Sequence, residues 1–279
     1  MHIFRTPEAI VINFMDKSYS FPRRDWDSFI NRPSLYSQLL EEIKGCPPEQ
    51  QADLQIPEAT LAPLNGQEVW ASGVTYLRSR EARIEEAKDS AGGDFYSRVY
   101  DAERPELFFK SAPYRVTGDG GTVRIRKDSA WNVPEPELTL FMCSEGSIEG
   151  YTIGNDMSSR DIEGENPLYL PQAKCYNGAA AIGPCLYVPE NPISPDTKIS
   201  LSIKRDDLEL FSDSVLLSKM KRTLKELSSY LFREMSFPNG AFLMTGTGIV
   251  PSDDFTLAVG DRISISIEGI GTLNNTVTQ

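Results

Sequence analysis

Apolar and polar residues alternate over several short stretches of the chain, and this pattern predicts a protein built mainly of strands. Ile263, Ile265 and Ile267 are each followed by a polar residue. This period of two is typical of a strand that buries one face. Other apolar runs that predict strands lie at residues 9–14, 68–73, 107–110, 138–142, 151–153, 182–188, 198–204 and 208–211, the last two forming a hairpin around Asp206 and Asp207.

Helical spacing of apolar residues is limited to two segments. Leu35, Leu39 and Ile43 recur along one face of a predicted helix that begins after Ser34 and ends at Gly45. The second predicted helix follows Ser218 and carries Met220, Leu224, Leu227 and Leu231 on one face.

The order of these segments predicts a β-rich α+β protein. We expect residues 1–58 to form a small N-terminal α/β subdomain, and the Pro-rich stretch from Cys46 to Pro63 to act as a linker. Residues 66–279 are expected to form the main domain, which carries the candidate site. The charged residues of 78–104 interrupt strand-like sequence on both sides, so we predict a helical flap over that site.

Composition and charge narrow the class of protein. Hydrophobic residues make up 40% of the chain and charged residues 24%, which is ordinary for a globular protein. The net charge of −12 argues against nucleic acid or an anionic membrane surface as a partner. No apolar run approaches the roughly 20 residues that a membrane helix needs, and the first residues show no secretory signal peptide.

Histidine and cysteine usage limits the possible chemistry. His2 is the single histidine, which excludes a Ser-His-Asp triad, a Cys-His pair and a zinc site with several His ligands. Carboxylates, lysines, arginines and hydroxyls would have to carry out any acid-base work. The four cysteines show no Cys-x-x-Cys spacing and are expected to be reduced thiols, which favours a cytoplasmic protein.

Two glutamates open the most informative segment. Glu135 and Glu137 are two residues apart at the start of a predicted strand, so their side chains point to the same face. Two adjacent carboxylates repel each other unless a cation lies between them. The pair is therefore either solvated at an exposed strand end or a ligand set for a hard cation such as Mg²⁺.

Two further residues favour the metal site. Asp156 ends a predicted apolar strand and is placed to complete a set of three carboxylates. Lys174 lies in a weakly charged stretch. It is either a surface lysine or a cation that neutralises an enolate, transfers a proton or forms a Schiff base.

At these residues the sequence resembles the fumarylacetoacetate hydrolase superfamily, from about Gly73 to Val277. The resemblance implies a mixed β-roll or barrel, usually dimeric or tetrameric, in which Glu135, Glu137 and Asp156 bind Mg²⁺, with Ca²⁺ or Mn²⁺ as alternatives. We therefore expect a homodimer or homotetramer. The matching pieces follow the family's order: Gly73-Val74-Thr75-Tyr76, Glu106 to Lys110, Glu135 to Leu138, Gly150 to Asp156, Arg160-Asp161, Lys174, Thr245 to Gly248 and Ile270 to Leu273.

One departure from the family pattern points to a particular reaction. Hydrolases and decarboxylases of the superfamily typically carry a His in the loop that here reads Tyr76 to Arg83, and this loop has none. The run from Glu165 to Gln172 instead resembles the branch that dehydrates 2-keto-3-deoxy sugar acids. The resemblance implies an Mg²⁺-dependent hydro-lyase of pentose catabolism whose partner is a small keto acid.

The candidate site residues follow from this resemblance and from the residue chemistry. Glu106 and Lys174 are the candidates for proton transfer. The candidate substrate-binding residues are Ser79, Arg80, Phe108, Lys110, Thr245 and Thr247. Two alternatives stay open at this point, namely an acylpyruvate-type hydrolase or oxaloacetate decarboxylase of the same superfamily, and a metal-binding protein without catalytic activity.

Overall fold

The computed structural model describes residues 1–86 and 93–279, and the side chains of residues 83–96 lie outside that description. Strands dominate the fold, as the alternating pattern predicts. They are β1 (His2–Arg5), β2 (Ala9–Phe14), β3 (Lys17–Pro22), β4 (Gln51–Asp53), β5 (Glu68–Ala71), β6 (Phe108–Ser111), β7 (Val116–Thr117), β8 (Thr122–Arg124), β9 (Asn132–Met142), β10 (Ile148–Ser159), β11 (Ala180–Tyr187), β12 (Lys198–Arg205), β13 (Leu208–Leu216), β14 (Ala241–Met244), β15 (Arg262–Ile267) and β16 (Gly271–Thr278).

The helices are short and lie between the strands. They are α1 (Trp26–Ile30), α2 (Leu35–Gly45), α3 (Leu77–Glu86), α4 (Gly93–Asp101), α5 (Arg160–Glu165), α6 (Leu170–Lys174) and α7 (Leu224–Leu231). Within residues 1–86 and 93–279, no helix has the length and apolar character needed to cross a bilayer.

The strands form two sheets with mixed strand directions. The larger sheet has eleven strands in the order β4-β3-β2-β1-β11-β10-β9-β14-β5-β6, with β7 paired to β11, and the smaller has five in the order β13-β12-β15-β16-β8. Both orders end in strands that pair on one side only, so the described strands form the expected β-rich roll without closing into a barrel.

Two apolar cores hold the sheets in place. One core fills the space between the two sheets and includes Leu140, Ile153, Leu201 and Ile265. The other lies on the opposite face of the larger sheet, where Leu39 of α2 packs near the N-terminal strands. The central strands of the larger sheet are therefore covered on both faces, which explains why β9 is buried along its whole length.

Several local predictions are confirmed. β2 covers residues 9–14 and α2 starts directly after Ser34. β12 and β13 form the predicted hairpin, and both turn residues, Asp206 and Asp207, have positive φ angles. This is the geometry of a two-residue turn that matches the twist of the strands.

Other boundaries were placed wrongly. The helix predicted after Ser218 begins at Leu224, because Thr223 and Glu226 form a capping box that sets its start. Met220 precedes that helix and pairs with Tyr76 instead. The predicted linker contains the strand β4, which pairs with β3.

The predicted domain boundary at residue 58 remains a prediction. β1 pairs with β11, so the strands of residues 1–58 share one sheet with the main domain. The predicted flap at 78–104 corresponds to α3 and α4, and its residues 87–92 lie outside the described residues.

Candidate active site

The candidate active site lies where β5 and β14 end. These two strands are parallel to each other, and β14 is antiparallel to β9. The carboxyl ends of β5 and β14 therefore lie beside the first half of β9 and the last half of β10. Loops that follow both strands reach the same edge, which places Gly73 and Gly246 around one pocket.

Three carboxylates meet in this pocket because of strand register. Asp156 on β10 lies directly opposite Glu135 on β9, and Glu137 is two residues further along β9. All three side chains thus share one face of the sheet. One oxygen of each lies within 4.8 Å of the others, and the residues are only 5%, 1% and 1% exposed, respectively, for Glu135, Glu137 and Asp156.

The structure changes the predicted setting of these residues. Glu135 and Asp156 were expected near strand ends, whereas β9 starts at Asn132 and β10 continues to Ser159. The carboxylates therefore project from the interior of two long, covered strands. An exposed, solvated pair is excluded by this burial.

Buried cations surround two of the three carboxylates. Lys174 Nζ lies 2.6 Å from Glu135 and 3.2 Å from Asp156. Arg160 contacts Glu135 at 2.8 Å, and Lys110 contacts Asp156 at 2.5 Å. Buried charges need such partners, because leaving one unpaired costs several kcal/mol.

Glu137 differs from the other two carboxylates. Its side chain accepts a hydrogen bond from the Gly246 backbone N–H at 2.6 Å, and no described cation forms an ion pair with it. Burial, followed by the charges of Asp156 and Glu135, raises the pKa of Glu137 well above its ordinary value. Glu137 therefore lacks a counter-ion among the described residues, and a divalent cation bound by oxygen ligands would supply the positive charge.

The two lysines hold different positions in this network. Lys110 is 1% exposed, and its Nζ contacts Asp156, the Met157 carbonyl at 3.0 Å and the Lys174 carbonyl at 2.5 Å. An ammonium group has three donors, so none of those of Lys110 is left for a substrate. Lys174 Nζ uses two donors on carboxylates, and its third donor has no hydrogen-bond partner among the described residues.

Burial also affects the ionisation of Lys110. Loss of solvation lowers the pKa of Lys110, and the neighbouring charge of Asp156 opposes part of that shift. The positive charge of Lys174 lowers the pKa of Lys110 further.

The remaining predicted proton-transfer residue, Glu106, lies at the rim of the pocket. Its carboxylate packs against Gly73, where a Cβ atom would collide with it. Its backbone carbonyl accepts a hydrogen bond from Ser72 Oγ at 2.9 Å. Glycine at position 73 therefore allows the Glu106 carboxylate to approach the loop that lines the pocket.

The predicted substrate-binding residues are divided between the pocket and its surroundings. Ser79, Phe108 and Thr247 line the pocket, and Phe108 places its ring 6.0 Å from Lys174 Nζ. Thr245 Oγ1 donates to the Leu138 carbonyl at 2.9 Å and so supports the turn. Arg80 does not appear among the described lining residues, since its guanidinium lies 4.8 Å above the Tyr100 ring.

Five described residues that line the pocket were not among the predicted site residues, namely Ser72, Gly73, Val74, Arg160 and Gly246. Arg160, the first residue of α5, lines the pocket and contacts Glu135. Val74 lines it with a φ of 54°, a left-handed conformation that is unusual for a β-branched residue. Arg160 follows a strand that carries a predicted ligand, and this placement was a usable signal. The backbone conformation of Val74 has no signal in the sequence.

Buried carboxylates, lysines and an arginine around a closed pocket define a site for metal-assisted acid-base chemistry. Residues 69–278 match the family of the fumarylacetoacetate (FAA) hydrolase C-terminal domain. The chain therefore belongs to the fumarylacetoacetate hydrolase family, as the ordered motifs predict.

Two curated relatives indicate which enzymes of this family the chain is similar to. The chain is 47% identical over 227 residues to a probable 2-keto-3-deoxyxylonate dehydratase of Haloferax volcanii, covering 81% of this chain and 77% of the relative. It is 46% identical over 215 residues to the 2-dehydro-3-deoxy-D-arabinonate dehydratase of Saccharolobus solfataricus, covering 76% and 72%.

A solved structure resembles this fold over its whole length. It is a 2-keto-3-deoxy-D-arabinonate dehydratase complexed with magnesium and 2,5-dioxopentanoate, with a TM-score of 0.83 and 34% identity. The match covers 100% of this chain and 99% of the solved chain.

Proposed function

We propose that this protein is an Mg²⁺-dependent hydro-lyase that converts 2-keto-3-deoxy-D-arabinonate to 2,5-dioxopentanoate and water. The observation that carries the proposal is the buried cluster of Glu135, Glu137 and Asp156, with Lys174 hydrogen-bonded to two of its members. Relatives with 46% and 47% identity are dehydratases of this substrate class, which supports the same reaction here.

The substrates in the names of the two relatives are chemically related. Conversion of a pentonate to its 2-keto-3-deoxy acid removes the stereocentres at C2 and C3. A single stereocentre remains at C4, so acids derived from D-arabinonate and D-xylonate are the same compound. We propose this C5 keto acid as the substrate.

The residues present fit a divalent metal. Glu135, Glu137 and Asp156 would hold it, and the bound ion would supply Lewis-acid polarisation of the C2 ketone. Lys110, Lys174 and Arg160 form ion pairs with Glu135 and Asp156 but, among the described residues, none with Glu137. A divalent ion would supply positive charge at Glu137 and would attract an anionic keto acid and the enolate formed from it.

The reaction requires proton transfer at C3 and loss of the C4 hydroxyl. A base takes the C3 proton, the C3–C4 double bond forms, and the C4 hydroxyl leaves with a proton as water. A proton then moves from C5 to C3, and the resulting enol becomes the C5 aldehyde, so the atoms balance. Lys174 and Glu106 are the candidates for these transfers, because both lie at the pocket.

The geometry favours one use of Lys174 over another. Its Nζ is 0% exposed and contacts two carboxylates, so it is placed as a proton-transfer and charge-stabilising group. A Schiff base would require these contacts to be given up. Borohydride treatment with substrate should therefore leave the mass of the protein unchanged, and a trapped adduct that disappears in Lys174→Ala would favour the covalent route.

A product screen tests the proposed reaction. The purified protein is incubated with 2-keto-3-deoxy acids of five and six carbons in the presence of Mg²⁺, and products are identified by mass. The proposal predicts loss of one water from the C5 acid. Release of CO₂ or of two carbon products would instead identify a decarboxylase or a hydrolase.

We further propose that the enzyme is cytoplasmic and forms a homodimer or homotetramer. The four cysteines are all free thiols, which supports a reducing compartment. Light scattering coupled to size-exclusion chromatography measures the oligomeric state directly, and a monomer at micromolar concentration would contradict the proposal.

A further inference from the structure

The short segment Met220-Lys221-Arg222 connects two parts of the molecule that face the pocket. Met220 forms a β-bridge with Tyr76, and the Lys221 backbone N–H donates to the Thr75 carbonyl at 2.9 Å. The segment is thereby fixed to the loop of residues 72–76, which lines the pocket.

The side chains of the same segment hold the end of α4. Arg222 donates to the carbonyls of Val99, Ala102 and Glu103 at 3.1, 2.6 and 2.9 Å. The carbonyls at a helix C-terminus have no partner within the helix, and a cation there is favourable. Arg222 is 7% exposed, so its bonds are shielded from water.

Lys221 adds a second set of contacts to α4. Its Nζ donates to the Tyr100 carbonyl at 2.6 Å and to Asp101 at 2.7 Å. The same Nζ lies 4.1 Å from the centre of the Tyr100 ring, while Arg80 of α3 lies 4.8 Å from that ring centre. Tyr100 is therefore in contact with two cations, one from the 220–222 segment and one from the other helix of the flap.

Val74 connects α4 to the pocket. Val99 and Tyr100 pack on Val74, which is 4% exposed, lines the pocket and adopts the left-handed conformation. A strained residue of this kind persists only where its surroundings hold it in place. The adjacent Thr75 Oγ1 donates to the Thr245 carbonyl at 2.7 Å, beside the Gly246 N–H that binds Glu137.

We propose that Lys221 and Arg222 are positioning residues that fasten the helical flap onto the pocket loop and so keep the pocket closed during dehydration. This inference rests on the proposed function. The enolate must lose the C4 hydroxyl before solvent returns a proton to C3, and a closed pocket excludes that solvent. Neither residue lines the pocket, so both act through Val74 and the flap.

The first experiment measures the attachment without any substrate. Amide hydrogen–deuterium exchange is followed in wild type, Arg222→Met and the milder Lys221→Met. Residues 93–101 should exchange about tenfold faster in Arg222→Met, with a smaller increase in Lys221→Met, because buried hydrogen bonds to a charged group are lost. β9 should exchange as in wild type. Unchanged exchange at 93–101 would overturn the attachment whatever reaction the protein catalyses.

The second experiment measures the effect on the reaction. Arg222→Met should raise KM about tenfold while kcat falls less, as expected when interactions that retain the substrate are lost. In D₂O, substrate recovered at half conversion should carry more deuterium at C3 than with wild type. Faster exchange at 93–101 without either change would overturn the role in closure.

A matched control separates this role from the general loss of an arginine. Arg205 makes three hydrogen bonds on the smaller sheet, two to Asp261 and one to the Thr256 carbonyl. Arg205→Met should leave KM and C3 deuteration at wild-type values. If wild type itself failed to dehydrate the keto acid, the proposed function would be wrong, and the amide exchange would still decide whether the flap is fastened.

Discussion

The strand pairs β9–β10 and β12–β15 lie in different sheets and differ in how deeply their polar residues are buried. In β15 the buried residues Ile263, Ile265 and Ile267 alternate with more exposed ones, so the serines between them lie nearer the surface. In β9 all eleven residues are buried, including Glu135 and Glu137. Polar residues in a strand covered on both faces cannot be hydrated and must have a partner or a function.

Burial alone does not distinguish a functional carboxylate from a structural one. Asp261, directly before β15 of the smaller sheet, is 0% exposed, and Arg205 binds its two oxygens at 2.7 and 2.8 Å. The Ala258 N–H completes this arrangement. Asp156 instead shares Lys174 with Glu135 and lies beside Glu137, which has no ion pair among the described residues. The comparison identifies crowded, incompletely neutralised carboxylates as the functional ones.

The largest expected effect comes from substituting Asp156, and the same substitution at Asp261 serves as the comparison. Asp156→Asn should lower kcat/KM by at least roughly 10²–10³, because it removes a proposed metal ligand and a partner of Lys174. Asp261→Asn should lower the melting temperature and leave kcat/KM within a small factor of wild type. Steady-state kinetics and thermal unfolding of both variants provide the measurement. Equal losses of activity would remove the distinction between the two sites.

Removal of Lys110 should show how far a metal ion replaces a buried cation. Lys110→Met leaves Asp156 with one cation and should destabilise the metal-free protein by about 3–5 kcal/mol. Added Mg²⁺ should recover more stability in this variant than in wild type, since the ion supplies positive charge at the same carboxylates. Denaturant unfolding with and without Mg²⁺ measures both the loss of stability and its recovery by the metal ion. An identical gain in the two proteins would contradict this account of Lys110.

The raised pKa of Glu137 gives the site a pH dependence of known sign. The folded, metal-free protein binds this proton more tightly than the unfolded chain, so its contribution to stability is full below the unfolded value and is lost as pH rises through the raised pKa. Mg²⁺ requires the ionised carboxylate, so its affinity should rise over the same window.

Calorimetric titration with Mg²⁺ across this pH range tests the effect. Proton release on binding should be detectable in buffers of different ionisation enthalpy. Glu137→Gln should abolish both the proton release and the pH dependence of metal-free stability. A pH-independent Mg²⁺ affinity in wild type would show that Glu137 is already ionised.

The smallest expected effect concerns the single histidine, which lies outside the pocket. Burial lowers the pKa of His2, whose Nε2 lies 2.7 Å from the Gly269 carbonyl. Stability should therefore fall slightly as pH drops below the unfolded value, because the unfolded chain takes up the proton first. His2→Gln should remove that slope and leave the pH profile of kcat/KM unchanged. A changed activity profile would mean that His2 acts in the reaction.

The sequence predicted those parts of the fold that have a periodic signal. β15 and the β12–β13 hairpin follow from alternation and turn residues, and α2 follows from Leu35, Leu39 and Ile43. β9 and β10 were predicted too short, because a strand covered on both faces loses the alternation that marks its ends.

Only part of the site could be predicted from the sequence. Glu135 and Glu137 share a face by spacing alone, but only the register of β9 with β10 places Asp156 opposite Glu135. The three protein contacts of Lys110 and the stacking of Arg80 on Tyr100 depend on tertiary structure. Local sequence carries no information about such contacts, so the roles predicted for these two residues stay predictions.

The requirement for a metal ion tests the central claim most directly. Protein freed of metal by chelation is incubated with 2-keto-3-deoxy-D-arabinonate, and 2,5-dioxopentanoate is followed as Mg²⁺ is added. We expect no product without metal and a rate that rises with the occupancy measured by calorimetry, in wild type but not in Glu137→Gln. Full conversion by rigorously metal-free protein would contradict the account.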